Sequence, residues 1–189
     1  KITLFFTNNL NEIVLNDDSK IETLTTIKVP ELSLNINGYS KANLHIKSHH
    51  FTLNNKNKSK LQLNAKTKLN IESTNSNLSL GVSSDTEIII KTDTLQITLN
   101  EKAKLDITGR TNKLSLVALE SSDFRGKDLN TKEAKITTKD SSEISMHAVE
   151  ILTIEASEKS EIEIYGNPMI TLETFTNSAK LHKKELSNK

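Results

Sequence analysis

The 189-residue chain has no cysteine and no tryptophan, only five glycines and two prolines, and 4% aromatic residues. Without Cys there is no disulfide framework, no thiolate zinc site and no cysteine nucleophile. The scarcity of aromatics weakens any reading that relies on stacking against bases or sugar rings. Lys and Arg number 25 against 24 Asp and Glu, and the resulting charge of +1 supplies no drive toward nucleic acid or an acidic membrane. No apolar run approaches the roughly 18 residues of a membrane span. The chain opens on Lys1 rather than Met and carries no apolar leader segment, so a leader or N-terminal segment is expected to have been removed. Hydrophobic content is 34%, low for a compact globule. Low hydrophobicity can mean disorder, but disordered chains lack periodicity, and this one is full of it.

Apolar residues alternate with polar ones in short bursts, the signature of half-buried strands. The leading residues of successive bursts are Ile13, Leu32, Phe51, Leu69, Leu95, Leu114, Ala134, Leu152 and Ile170, separated by 19, 19, 18, 26, 19, 20, 18 and 18 positions. A second burst follows each marker after 8–10 residues, beginning at Ile21, Ala42, Leu61, Leu78, Leu105, Phe124, Ile144, Ile162 and Ala179. Between the bursts lie small polar corners such as "GYSK" (38–41), "EKAK" (101–104), "DSSE" (140–143) and "EKSE" (158–161). Ser, Asn and Asp side chains bond locally to turn backbone and suit such corners. The interval after Leu69 is long because "SSDTEIIIKTDT" (83–94) reads as an insertion that forms a further strand.

Helices would not place apolar residues two apart, and a meander of hairpins would need more glycine than five. A repeat of about 19 residues with two short strands per unit is a solenoid coil. The expected fold is all-β: one right-handed, single-stranded parallel β-helix of about nine rungs of 18–20 residues, the longer rung lying near 69–94. Residues 1–189 form a single domain, with 1–12 as an N-terminal cap, 13–181 as rungs and 182–189 as a polar tail. On this reading Ile162 and Ile164 stack on Ile144 and Met146, and Ile170 and Leu172 on Leu152 and Ile154. Gly166-Asn167-Pro168 is then a corner between rungs rather than a hairpin turn.

"LTIEASEKSEIEIYGNP" (152–168) resembles the last full rung of the head GIN domain family of auto-transporter adhesins, where strand, small-residue corner, strand and a Tyr-x-Gly-Asn-Pro turn follow in that order. "NLNEIVLNDDSKI" (9–21) is similar to the family's first rung, and "TFTNSAKLHKK" (174–184) to its closing segment. The resemblance implies a right-handed parallel β-helix on exported proteins of Bacteroidetes-like bacteria, with no established activity. The location it implies is periplasmic, outer-membrane-attached or extracellular. The family's corners are Gly-rich. Those of this chain are not, so they either avoid positive φ or accept it at a cost.

Candidate chemistry is sparse. His45, His49 and His50 form the one histidine cluster, but alternation lets at most two converge and no third ligand is near, so no metal site or cofactor is expected. "SSDFRGKDLN" (121–130) sets Arg125 between Asp123 and Asp128 where Gly126 replaces a core residue, which makes it the best local candidate for a site. Thr92 and Thr94 do not recur at fixed register as an ice-binding array would need. Residues 32–71 hold no Asp or Glu, whereas Lys41, Lys47, Lys56, Lys58, Lys60, Lys66 and Lys68 form a basic band. Residues 140–163 reverse the balance with seven acids against Lys159. The expected function is a non-catalytic exported cell-envelope or surface module for adhesion or scaffolding, with acidic glycan on the basic band, another envelope protein as partner, or head-to-tail self-association. A carbohydrate-active enzyme is the alternative, marked by carboxylates converging in a groove across adjacent rungs. A polymerising β-helical scaffold is the third.

Overall fold

The computed structural model describes residues 9–56, 66–72, 75–81 and 84–185. Among these there is no helix. The strands are β1 (Glu12–Leu15), β2 (Lys20–Glu22), β3 (Ile27–Lys28), β4 (Glu31–Asn37), β5 (Lys41–Lys47), β6 (His50–Lys56), β7 (Lys66–Glu72) and β8 (Asn75–Leu80). They continue as β9 (Asp85–Leu99), β10 (Lys104–Ala118), β11 (Asp123–Thr138), β12 (Glu143–Ala156), β13 (Glu161–Tyr165), β14 (Met169–Phe175) and β15 (Lys180–Lys183). All pair in parallel within one wound sheet, a β-solenoid of about eight turns.

Each turn has two sides that share one core. The first side comprises β1, β4, β6, β8, the C-terminal halves of β9 to β12, and β14. The second comprises β2, β3, β5, β7, the N-terminal halves of β9 to β12, β13 and β15. Parallel pairing sets like positions over like, so the core is a set of axial ladders. One runs Leu34, Leu53, Leu78, Ile97, Leu116, Ile136, Ile154, and every member is at most 2% exposed. Each such side chain contributes roughly 1.5–3 kcal/mol by burial.

The stacking around the last corner is as the alternation requires. Ile162 and Ile164 lie on Ile144 and Met146, and Ile170 and Leu172 on Leu152 and Ile154. β13 and β14 do not pair with each other. Gly166 holds φ +90° with the Ala148 carbonyl so near that a Cβ would stand 2.2 Å from it, which fixes glycine at this corner.

Register differs from the sequence expectation in the middle of the chain. Leu69 pairs with Leu44 and Ile88, on the second side, whereas Leu78 pairs with Leu53 and Ile97, on the first. The apolar pattern alone places the two leucines on the opposite sides. Phe51 is therefore followed in its column by Ser76, 25 positions on, rather than by Leu69. The extra length precedes β7, and the expected second-burst residue Leu61, with Lys58 and Lys60, lies outside the described residues. "SSDTEIIIKTDT" is no insertion: Asp85–Leu99 is one continuous strand, with Ile88 and Ile90 inward and Ile89 exposed. Both bursts alternate with period two, so a half-turn slip leaves the apolar pattern intact. The last unit is offset as well, since Leu181, not Ala179, lies over Ile162.

The polar corners accept positive φ. Glu101-Lys102, Glu120-Ser121, Asp140-Ser141, Glu158-Lys159 and Asn177-Ser178 all lie at φ +52° to +65°. Each pair is closed by a bond across the turn; the Ser142 amide donates to the Lys139 carbonyl and that of Ser160 to Ser157, both at 3.2 Å. The turns also bond to one another along the axis. The amides of Lys102, Ser121, Ser141 and Lys159 donate to the carbonyls of Glu120, Asp140, Glu158 and Asn177 at 2.9–3.0 Å. Left-handed backbone costs a non-glycine residue roughly 1–2 kcal/mol, and the axial bonds return about 0.5–1.5 kcal/mol each. The residue after each turn faces inward and is small: Ala103, Ser122, Ser142 and Ser160 are all buried. The opposite bend is made by buried Thr92, Thr111 and Thr131, which do share one register but point into the column. The hydroxyls of Thr92 and Thr111 donate to the carbonyls of Thr94 and Lys113, at 3.1 Å each.

Two outcomes follow. Lys159→Gly removes one left-handed side chain and should raise stability by about 1 kcal/mol, read as a higher urea midpoint at unchanged m. Glu158 has its carboxyl pKa raised, first by a side-chain hydrogen bond to Asp140 on the turn below and then by that group's charge. The folded state therefore holds this proton more tightly than the unfolded chain. The stabilisation is complete below the ordinary carboxylate range and is lost as pH rises through the raised value. Glu158→Gln should accordingly raise the Tm at about pH 7 and leave it unchanged near pH 3.

Candidate functional site

Sequence irregularity and structural irregularity coincide at Arg125. Phe124 is fully buried, and its ring lies across Gly126: a Cβ there would stand 2.4 and 2.6 Å from the ring atoms Cε1 and Cζ. One large side chain thus fills two inward positions. The strand then bulges. Lys127–Asp128–Leu129 has no partner in β12, whose Met146 and His147 face Gly126 and Asn130, and Leu129 turns into the core. Bulges of this kind re-aim side chains and open a sheet surface.

Beside the bulge lies a groove of about 470 Å³ on the second side. Its carboxylates come from two adjacent columns. Asp123, Glu143 and Glu161 are stacked in one, and Asp106, Arg125, Ser145 and Glu163 in the other. Asp128 adds an acid from the bulge, and Ile107 and Ile144 supply apolar lining. The Arg125 guanidinium donates to Asp123 Oδ2 at 2.5 Å and lies 3.8 Å from Asp106 Oδ1. The hydrogen bond to Asp123 and that carboxylate's charge raise the Arg125 pKa further, with Asp106 and Asp85 adding to the effect against partial desolvation. A permanently charged, pinned arginine positions groups and offers hydrogen bonds. The carboxylates around it accept them, which suits hydroxyl-bearing or cationic ligands and repels polyanions.

Arg125, Asp123 and Asp128 were legible as a local cluster. Asp106, Glu143, Glu161 and Glu163 were not, because they join it only through the register. The spacing of 18–20 residues, applied to Asp123, leads to Glu143 and then to Glu161.

The other candidates separate. His45 is on β5, His50 opens β6 on the other side, and His49 lies at the corner between them; all three are exposed. Among the described residues no group of three His, Cys, Asp or Glu could hold a metal ion. Within the basic band, Lys41 stacks on Lys20 and Lys47 on Lys28. Lys66 and Lys68 continue the second side through β7, next to Asp85 and Glu87, and Lys56 ends β6 on the first side. The acids of 140–163 do not form a single patch: Asp140 and Glu158 sit on the turns, whereas Glu143, Glu161 and Glu163 line the groove.

The fold and groove define a parallel β-solenoid with a strongly charged outer side. The family model described as "Putative auto-transporter adhesin, head GIN domain" matches residues 59–168, more than half of the chain, and the chain belongs to that family. The match ends on Pro168, the last residue of the Tyr165-Gly166-Asn167-Pro168 corner; the first rung and the closing segment lie beyond it. No curated protein and no solved structure matches the chain. The family description points to a surface or exported protein. Among the described residues no helix is long and apolar enough to cross a membrane.

Proposed function

We propose that the chain is a non-catalytic module of an exported, surface-located protein, one that holds acidic polysaccharide on the lysines of its second side. The observation that carries this reading is the stacking of like charge. Lys41 lies directly over Lys20, about 4.8 Å apart along the axis, whereas Lys47 stands between Lys28 and Glu72. Like charges directly opposed across strands are destabilising, and a polyanion laid along the column relieves that repulsion. The rigid register then serves as a template that needs no rearrangement on binding.

The test is affinity electrophoresis in gels containing alginate, a carboxylated polysaccharide. Wild-type protein should be retarded, with an affinity that falls steeply as salt shortens the Debye length from about 14 Å to about 4 Å. The double variant Lys20→Glu/Lys41→Glu should lose about tenfold or more. Absence of retardation, or retardation insensitive to salt, contradicts the reading.

The groove supports a second reading, a carbohydrate-active enzyme, because carboxylates from adjacent rungs line it around one arginine. Enzymes that cleave glycosidic bonds use a pair of such groups. Release of reducing ends from a polysaccharide, abolished by Glu143→Gln in a folded protein, would replace the binding reading with this one.

A further inference from the structure

The two sides of the column differ in how their charge is distributed. On the second side, the outward positions include Lys41, Asp85, Lys104, Asp106, Asp123 and Arg125. On the first side, across the five consecutive rungs built by β4, β6, β8 and the C-terminal halves of β9 and β10, two outward columns carry no charge at all. One runs Ser33, Thr52, Asn77, Gln96, Ser115. Its neighbour runs Asn35, Asn54, Ser79, Thr98, Val117. The pairing through these rungs has no register shift, so the columns form a regular lattice of about 4.8 by 7 Å. Within these two columns charge returns at the ends, with Glu12 before Ser33 and Lys135 after Ser115, and the outward column beside them carries Glu31 and Lys113.

Nine of these ten side chains are hydroxyls or amides. The Asn35 amide donates to Glu12 Oε1 at 2.9 Å and that of Asn54 to Asn35 Oδ1 at 2.8 Å. Thr52, Asn77, Gln96 and Ser115 make no side-chain hydrogen bond among the described residues. We propose that this face is a second binding surface, separate from the lysine columns, and that its ligand is an uncharged, hydroxyl-rich polymer, a neutral polysaccharide. A charged ligand would give up hydration here without meeting a counter-charge. A neutral glycan offers hydroxyls that both donate and accept, which is what serine, threonine, asparagine and glutamine also do. A flat, pre-ordered lattice engages several sugar units at once with little ordering cost.

Native affinity electrophoresis tests this in gels containing dextran, mannan or hydroxyethyl cellulose, with alginate run in parallel. Wild-type protein should be retarded in at least one neutral gel, and equally so at low and high salt. Asn77→Lys and Gln96→Lys, both at exposed positions, should weaken that retardation about tenfold, since a charge in the lattice must be desolvated on binding. The matched substitution Asn43→Lys on the second side should leave it intact. Circular dichroism melts of all three confirm that the fold survives. No retardation in any neutral gel overturns the proposal, as does retardation that Asn77→Lys and Gln96→Lys leave unchanged. A dimer in size-exclusion chromatography that these variants dissolve, without neutral-gel retardation, overturns it in favour of a second copy on the same face. Retardation in alginate alone overturns this proposal and leaves the lysine-column reading standing.

Discussion

Everything in this molecule depends on the axial backbone hydrogen bonds that join each rung to the next. Those bonds fix the rise at the ordinary interstrand spacing and force each side chain to stand on the one below. The sequence consequence is severe. Inward positions must remain apolar or small in every rung, as the Leu34-to-Ile154 ladder is. Outward positions stand against their counterparts in the same column, opposite in sign where Arg125 lies over Asp106 and Lys113 beside Glu133, alike where Asp123, Glu143 and Glu161 are stacked. The surface chemistry is therefore set column by column along the axis.

The corners show how the constraint is met without glycine. Five pairs of ordinary residues take left-handed backbone. Each turn is held from below and above by the same axial amide-to-carbonyl bonds that run through the strands. The small buried residue after each turn, Ser142 or Ser160 for example, lets the chain re-enter the core without a bulky side chain in the bend. Strain confined to single residues is tolerated where the surroundings over-determine it, and here repetition along the axis supplies that support.

The architecture was legible in the sequence because alternation and a 19-residue recurrence both survive in the primary pattern. The corner at Gly166 was legible for the same reason. The phase of the middle rungs was not. Leu69 and Leu78 both begin apolar bursts, and a period-two pattern cannot say which side of the column each belongs to. The groove was half legible: Arg125 and Asp123 are sequence neighbours, but Glu143 and Glu161 reach them only through pairing of β11, β12 and β13. The uncharged face was hidden for the opposite reason. Its members lie 19 or 25 residues apart, nine of the ten an ordinary Ser, Thr, Asn or Gln, and only the register brings them into one lattice.

The proposed uncharged face therefore depends on that register, and the absence of native cysteine makes it directly measurable. Two double variants, Asn77→Cys/Gln96→Cys and Asn70→Cys/Gln96→Cys, are oxidised and mapped by non-reducing peptide mass spectrometry. Asn77 and Gln96 are facing partners, at a Cα separation of about 4.8 Å that a disulfide can bridge, and their pair should close within the folded monomer. Asn70 faces Ile89, so its pair should stay reduced. Closure of the Asn70 pair instead would shift the middle rungs by half a turn and contradict the account.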